Sequence, residues 1–396
     1  MWTIFIGILS AVTLLSIITL LIILIRKRRS QQKNDQEGAK TTAATTSKST
    51  RTLSMNSQFL YRENTGDVTI FESERPVVCS LEEIEEATSN FDESKKIGAG
   101  DYGSVYYGIL TTGQEVAIKK MRSNKSKNFC AELKVLCKIH HINVLEVLGI
   151  ATGDDHLYLV YEYVQNGSLS DNLREPLLKG HQPLSWTART QIALDAARGI
   201  KYVHNHTKAR YVHRDIKTSN ILLDKSLRAK VADFGLAKLV DRTSYEDLLA
   251  TRLVGTPGYL PPKSVKKLQI TTKTDVFAFG VVLAELITGQ RALTHDNQEI
   301  NKMKSPITIM NKVFQDDDPE SALEDVTDGN LRGNCPVEDV YKMAEIAEWC
   351  LSEDAGSRPE LRNIVVSLSQ IVISSIEWKA SLGDNSQVFS GLFNGR

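Results

Sequence analysis

The chain has 396 residues, its 48 Lys and Arg balance 48 Asp and Glu, and 41% of it is hydrophobic. That length allows two or three domains with a large core, and zero net charge removes the electrostatic reason to expect a nucleic-acid partner. The five cysteines, Cys79, Cys130, Cys137, Cys335 and Cys350, are scattered and odd in number; they suit neither a zinc site nor a secreted disulfide framework and read as reduced thiols.

Trp2–Ile25 is rich in Ile and Leu and carries no charge, and Arg26, Lys27, Arg28 and Arg29 follow at once. A helix of that length spans the roughly 30 Å hydrocarbon core of a bilayer. The positive-inside rule then places the remainder in the cytoplasm. A cleaved signal peptide would put its basic residues ahead of a shorter apolar run. Residues 1–25 are therefore predicted to be a single-pass transmembrane helix at the cell membrane. Residues 26–80 are polar and crowded with hydroxyls such as Thr41, Thr45 and Ser49. Such a stretch buries too little to order itself and is predicted to be a disordered juxtamembrane linker. Residues 81–91 follow as a helical extension, with Ser80 at the cap, Glu83 in capping-box position, and Leu81, Ile84 and Ala87 at helical spacing.

Gly98, Gly100 and Gly103 stand in G-x-G-x-x-G spacing within Ile97-Gly-Ala99-Gly-Asp101-Tyr102-Gly-Ser104-Val105. Glycines let a backbone approach phosphates closely. In dinucleotide-binding folds the same spacing opens a helix. Here Thr112-Gly113 reads as a turn between two β-rich runs, so a hairpin is expected instead. The second run is Val116-Ala117-Ile118-Lys119. Asn128–His140 is amphipathic, with Phe129, Leu133, Leu136 and Ile139 on one face, and carries Glu132 as a partner for Lys119. Leu145–Ile150 and Leu157–Tyr163 are β-rich. Glu162, Tyr163 and Val164 are expected to connect two lobes and to offer backbone groups to an adenine edge, with Tyr161 behind that pocket. Trp186–Asn205 has Ile192, Ala196, Ile200 and Val203 at helical spacing and leads into Tyr211–Leu222, where Arg214, Asp215, Lys217 and Asn220 cluster. Asp233-Phe234-Gly235, the hydroxyls Thr243, Ser244, Tyr245 and Thr251, and the turn-rich Gly255–Pro262 follow. Thr256 is expected to bond Asp215 and Lys217. The segment from Thr274 to Leu286 is apolar nearly all round and reads as a buried helix, with Asp275 near its start bracing the loop at Asp215. Val337–Cys350 and Leu361–Val372 are predicted helices, and residues 373–396 a polar tail.

The glycine loop, V-A-I-K, a helix glutamate, H-R-D-I-K-x-x-N and D-F-G occur here in one order, and together they resemble the eukaryotic protein kinases. The resemblance implies an α+β, bilobal kinase fold over residues 92–372, preceded by one transmembrane helix. The N-lobe (92–164) is small and β-rich, and the C-lobe (165–372) is larger and helical. It implies ATP and Mg²⁺, or Mn²⁺, as cofactors and proteins as substrates. Asp215 would orient the incoming hydroxyl, and Lys217 would neutralise the transferring phosphoryl group. Asn220 and Asp233 would hold the metal. Residues 97–105, Ala117, Lys119, Glu132, Tyr161, Glu162, Val164 and Leu222 would surround the nucleotide. Lys217 after H-R-D is similar to the serine/threonine class. Arg214, Thr251 and Thr256 would be regulatory, with phosphate on Thr251 the first expectation. The phrases NGSL, GTPGYLPP and TDVFAFGVVLAELITG resemble Pelle-related plant receptor-like kinases. VYKMAEIAEWC and NSQVFSGLFNGR are most similar to the LysM-domain receptor-like kinases, which implies a co-receptor kinase or a second copy as partner. One residue departs from the pattern. Lys263 stands where the family has a Glu that pairs with a buried Arg, here Arg358 by motif match. A broken buried pair costs about 3–5 kcal/mol, so a weakly active or scaffolding kinase fold is the alternative expectation.

Overall fold

The computed structural model describes residues 60–62, 68–70, 77–100, 102–153, 155–205, 210–240, 255–261, 271–295 and 303–393. The predicted span at 1–25 lies outside them, as do Asp101, Thr251 and Lys263. Among the described residues no helix is long and apolar enough to cross a membrane.

The first described elements are a short antiparallel pair, β1 (Leu60–Arg62) with β2 (Val68–Ile70). β3 (Val77–Val78) then pairs in parallel with β7 (Val147–Thr152), and the Cys79 amide extends the ladder to the Ile150 carbonyl at 2.9 Å. These elements correct the expectation that the linker runs unstructured to residue 80. A sheet edge offers unpaired backbone groups, and two β-branched residues suit that edge. Gly149 makes the approach possible, since a Cβ there would lie 2.6 Å from the Cys79 sulfur.

Helix α1 (Leu81–Ala87) starts where Ser80 accepts the Glu83 amide at 3.1 Å. It buries Ile84 and Ala87 against Val116, Ile118, Ala151, Tyr158 and Val160. Ser89, Asn90 and Phe91 then take left-handed backbone angles. That turn lays the Phe91 ring on Tyr158 and at the edge of Tyr106, with the Lys120 ammonium above it. β4 (Lys96–Gly100), β5 (Gly103–Ile109) and β6 (Glu115–Arg122) form an antiparallel meander, and the turn at Gly113 has φ 83°. With β8 (His156–Glu162) the sheet has the order β3-β7-β8-β6-β5-β4. Helix α2 (Ser126–Leu136) packs Phe129, Leu133 and Leu136 into the core, as the apolar spacing predicts.

The second lobe is helical. α3 (Leu169–Arg174) is capped by Ser168, whose hydroxyl accepts the Asp171 amide. α4 (Trp186–Asn205) has the predicted bounds. Short strands β9 (Arg210–Val212), β10 (Ile221–Leu223), β11 (Ala229–Val231) and β12 (Lys238–Val240) pair as β9 with β12 and β10 with β11. They frame the loop at Asp215. α5 (Thr272–Thr288) is buried continuously from Thr274 to Thr288, which its all-round apolar pattern requires. α6 (Pro306–Val313) and α7 (Pro319–Val326) each place Pro in the first turn behind a Ser or Asp cap. α8 (Val337–Cys350) lies beside α5.

The last helix, α9, runs Leu361–Phe393 and not to Val372, so the expected tail is helical over most of its length. Buried Ile371, Val372 and Ser375 continue its packed face past the predicted end. The Ser375 hydroxyl meets that of Thr190 on α4 at 3.3 Å. Helix-breaking residues are absent before Gly383, so the polar composition alone gave a false stop.

The lobes join at residues 143–145. The Val231 amide donates to the Asn143 carbonyl and the Leu145 amide to the Val231 carbonyl, both at 2.9 Å, while Asn143 Nδ2 donates to Ala229 at 3.0 Å. Gly199 on α4 sits beneath. A Cβ there would stand 2.4 Å from the Asn143 carbonyl and 3.0 Å from a Val231 methyl. Gly199→Ala should therefore destabilise the protein by about 1–3 kcal/mol, although Ala is the better helix former. Thermal unfolding of the purified protein checks this.

Candidate active site

A cleft of about 690 Å³ lies between the lobes, within the size range of small-molecule sites. Ile97, Gly98, Ala99, Gly100, Tyr102, Gly103, Val105, Ala117 and Lys119 line one side. Glu132, Tyr161, Glu162 and Val164 close the back and hinge, and Asp215, Lys217, Asn220, Leu222 and Asp233 form the floor. Ser104 is not in the lining; it pairs with Ala99 and Lys120 within the sheet. Tyr163, expected at the hinge between Glu162 and Val164, also lines the cleft, as do Leu145, Gln165, Gly167, Ser168, Asp171, Ser219 and Ala232, which were not expected. The S-x-x-D spacing of Ser168 and Asp171, a helix-start pattern, was the one signal for that pair.

Strand β6 delivers Lys119 to the cleft with its neighbours Ile118 and Met121 in the core. Its ammonium lies 2.8 Å from Glu132 Oε2 and 2.8 Å from Asp233 Oδ1. Burial works against this charge, and the two carboxylates overcome it, so the lysine is held firmly protonated with its pKa raised. For Asp233 burial alone would raise the carboxyl, but Lys119 keeps it below the ordinary value. The Tyr161 phenol is buried beside Glu132, and both its burial and that carboxylate push its pKa well up. Phe234 is fully buried, its ring 4.6 Å from that of His213, and its amide donates to Glu132 Oε1 at 3.2 Å. Behind the hinge, Glu162 Oε1 accepts from the Glu146 amide and from Lys230 Nζ, both at 2.9 Å.

The floor is one connected network. Thr256 Oγ1 donates to Asp215 Oδ1 at 2.6 Å and accepts from Lys217 Nζ at 2.9 Å. Lys217 Nζ is 2.8 Å from Asp215 Oδ2. Asn220 Nδ2 donates to the Asp215 carboxylate at 3.0 Å and to its carbonyl at 2.9 Å. That leaves the Asn220 amide oxygen as an acceptor for a hard cation, with the Asp233 carboxylate as the second ligand. The donor set suits Mg²⁺, which takes one or two protein oxygens and completes its shell with phosphate and water. Among the described residues no group of three or more His, Cys, Asp or Glu forms a closed metal cage.

Two residues of the site carry unusual backbone angles. Arg214 has φ 72° and Asp233 has φ 64°, which non-glycine residues adopt only when the surroundings impose it. Asp275, fully buried near the start of α5, imposes the first. Its oxygens accept the His213 amide at 2.8 Å, the Arg214 amide at 2.9 Å, and His204 Nε2 at 2.7 Å. His213 closes the loop from inside. Its Nδ1 accepts the Asp215 amide at 3.3 Å, so its Nε2 carries the proton donated to the Ala232 carbonyl at 3.1 Å. Burial lowers the Arg214 guanidinium pKa, against the pull of Asp275.

A second buried network ties this floor to α5. Tyr259 donates to Glu285 Oε2 at 2.6 Å, its hydroxyl is 3.3 Å from that of Thr218, and Arg174 pairs with the same Glu285. Arg358 is also buried. It donates to the carbonyls of Ser352, Lys273 and Glu353 and stacks over the Phe277 ring. Three main-chain acceptors compensate its burial within the C-lobe itself. Lys263, the residue expected to oppose it, lies outside the described residues.

A two-lobed fold with a Lys–Glu–Asp ion cluster above an Asp–Lys–Asn loop defines the protein kinase class. A family model for the protein kinase domain matches residues 91–367. The chain belongs to that family. It is 49% identical over 333 residues to the LysM domain receptor-like kinase 3 of Arabidopsis thaliana, covering 83% of this chain and 51% of the relative. It is 44% identical over 324 residues to the chitin elicitor receptor kinase 1 of the same plant, covering 82% of this chain and 51% of the relative. It thus spans about half the length of these LysM relatives. It is also 36% identical over 304 residues to the probable serine/threonine-protein kinase PBL23 of Arabidopsis thaliana, covering 76% of this chain and 77% of that one.

The buried Asp275 carboxyl has a depressed pKa: burial alone would raise it, and His204, His213 and the Arg214 amide override burial. A depressed folded value contributes stability above the unfolded carboxyl value of about 3.9 that is lost as pH falls through the folded value. Asp275→Asn should therefore be less stable at pH 7 by about 1–3 kcal/mol for each amide left unpaired. The gap from wild type should begin to narrow below about pH 4, as the unfolded chain's carboxyl protonates, and close as pH falls through the lower folded value. Urea unfolding across that pH range checks both parts.

Proposed function

We propose that this protein is a membrane-anchored serine/threonine kinase of receptor-type signalling that passes the γ-phosphoryl group of ATP to protein hydroxyls. The observation that carries the reading is Lys119, held between Glu132 and Asp233 in the same cleft that Asp215 lines. The glycine-rich hairpin and Lys119 would hold the phosphates, and the backbone at Glu162–Val164 would take the adenine edge. Asp215 accepts the proton of the substrate hydroxyl as it attacks, and Lys217 balances charge on the transferring group. Asn220 and Asp233 would hold Mg²⁺, which supplies neutralisation of the phosphate oxygens when bound. Positioning and charge account for the catalysis, and no side chain need form a covalent intermediate.

Three parts of this proposal rest on the sequence and the relatives. Anchoring rests on the apolar run before Arg26 and on similarity to receptor-like kinases. Serine/threonine specificity rests on Lys217 and on the PBL23 relative. A role beside a co-receptor or a second copy rests on similarity to the chitin elicitor receptor kinase, whose ligand is not assigned to this chain.

The test is incubation of the purified cytoplasmic portion with Mg-ATP and phosphoamino-acid analysis. Phosphoserine and phosphothreonine are expected from wild type. Asp215→Asn should lower the rate by about a hundredfold or more. ATP binding with no transfer by either protein would favour a scaffolding kinase fold. Among the products, phosphate is expected between Asp233 and Lys263, first on Thr251, where Arg214 would pair it. Mass spectrometry without phosphate in that window would remove this regulatory role.

A further inference from the structure

Helix α2 touches the Asp233–Gly235 turn twice. Glu132 is the known contact. One turn earlier, Asn128 Nδ2 donates to the main-chain carbonyl of Gly235 at 2.9 Å. Residues four apart on a helix share a face, so one face of α2 holds three consecutive residues of the Asp233–Gly235 turn. Asp233 is reached through Lys119, Phe234 through its amide on Glu132, and Gly235 through Asn128. We propose that Asn128 is a positioning residue, which keeps the Asp233–Gly235 turn against α2 and so sets the fraction of molecules poised for phosphoryl transfer.

Two observations separate this part-buried bond from an incidental contact. First, Asp233 sits at φ 64°, a conformation that persists only where its surroundings over-determine it. The turn needs ties on both sides of that residue, and Asn128 supplies the last one. Second, close packing does not fix Gly235. A Cβ there would meet Asp233 Oδ1 at 3.4 Å, Glu132 Oε2 at 3.6 Å and Asn128 Cβ at 3.8 Å, all ordinary contacts. Among these neighbours the directional restraint on Gly235 is the amide-to-carbonyl bond. A carbonyl accepts only from a donor. An ionised Asp at 128, of the same shape, has no proton to give.

The test compares Asn128→Ala and Asn128→Asp with wild type. Ala is a stronger helix former than Asn, so loss of helix cannot explain a defect in that variant. Three readouts are taken: amide hydrogen exchange at Phe234–Leu236 without nucleotide, relative affinity for ligands that need Phe234 buried or displaced, and kcat against KM for ATP. Both variants should exchange faster at these amides. Their affinity ratio should move toward ligands of the displaced state by about 3–10-fold, the worth of one neutral hydrogen bond. The kcat should fall in proportion while the Tm of Asn128→Ala stays near that of wild type. Unchanged exchange and an unchanged ratio in both variants would overturn the proposal. So would a lowered Tm with the ratio unmoved. Only the kcat arm rests on the phosphoryl-transfer reading. A shifted ratio with no turnover even in wild type would refute that reading and leave Asn128 as the positioning residue.

Discussion

One buried ammonium holds the two halves of the site in register. Lys119 comes from the sheet, Glu132 from helix α2 and Asp233 from the C-lobe, so three separately folded elements meet at a single positive charge. Burying charge is unfavourable in itself, and a buried ion cluster is weak evidence for stability. Its value here is conditional. With the lysine present, two carboxylates share one cation at 2.8 Å each. Without it they would face one another in a cleft of low dielectric, and one would have to protonate or move. The position of α2 relative to the D-F-G turn is thus tied to the charge state of one residue.

That cluster can act only if the lobes keep their spacing, and the spacing is set by backbone. Residues 143–145 are stitched to β11 by three hydrogen bonds, and Gly199 lets the Asn143 carbonyl sit against α4. Glu162 and Lys230 add a second tie across the hinge, partly exposed and so weaker. The first joint is buried, with two main-chain bonds and one from the Asn143 side chain, and is costly to open. The second can open with little loss. Lobe movement is therefore expected to pivot about residues 143–145, with the glycine-rich hairpin travelling furthest.

Much of this was legible in the sequence because the chemistry is local. Gly98, Gly100 and Gly103, the Lys119 strand and the Asp215–Asn220 loop each declare themselves within ten residues, and α4 follows directly from its apolar period. Asp275 was legible as well, since a carboxylate at the head of an all-apolar helix must be explained. Long-range partners were not. Asn128 reads as an ordinary polar residue in a first turn until Gly235, more than a hundred positions away, is folded against it. Val77–Val78 shows no strand period at two residues, and only the vacant edge of β7 makes it one. The end of α9 was hidden for a related reason. Ser375 looks like surface, yet it is buried because Thr190 on α4 offers it a hydroxyl. In each case the deciding contact is with an element that sequence order does not place nearby.

Within the site, left-handed strain falls on two residues that are tied from several sides. Arg214 and Asp233 both hold left-handed backbone angles, and each such residue carries a penalty of about 1–3 kcal/mol. Arg214 is held by an amide bond to a fully buried carboxylate that also takes His213 and His204. Asp233 is held by Lys119 on its side chain and by the contacts of α2 on the two residues that follow. The ties differ in kind. Those at Arg214 belong to the C-lobe core and persist whatever the N-lobe does. Those at Asp233 depend on α2 and on Lys119, both of which belong to the N-lobe. The loop at Asp215 is therefore strained into shape by its own lobe, whereas the strained turn at Asp233 takes its ties from the other lobe. Switching in such a fold should release Asp233 and leave Asp215 in place.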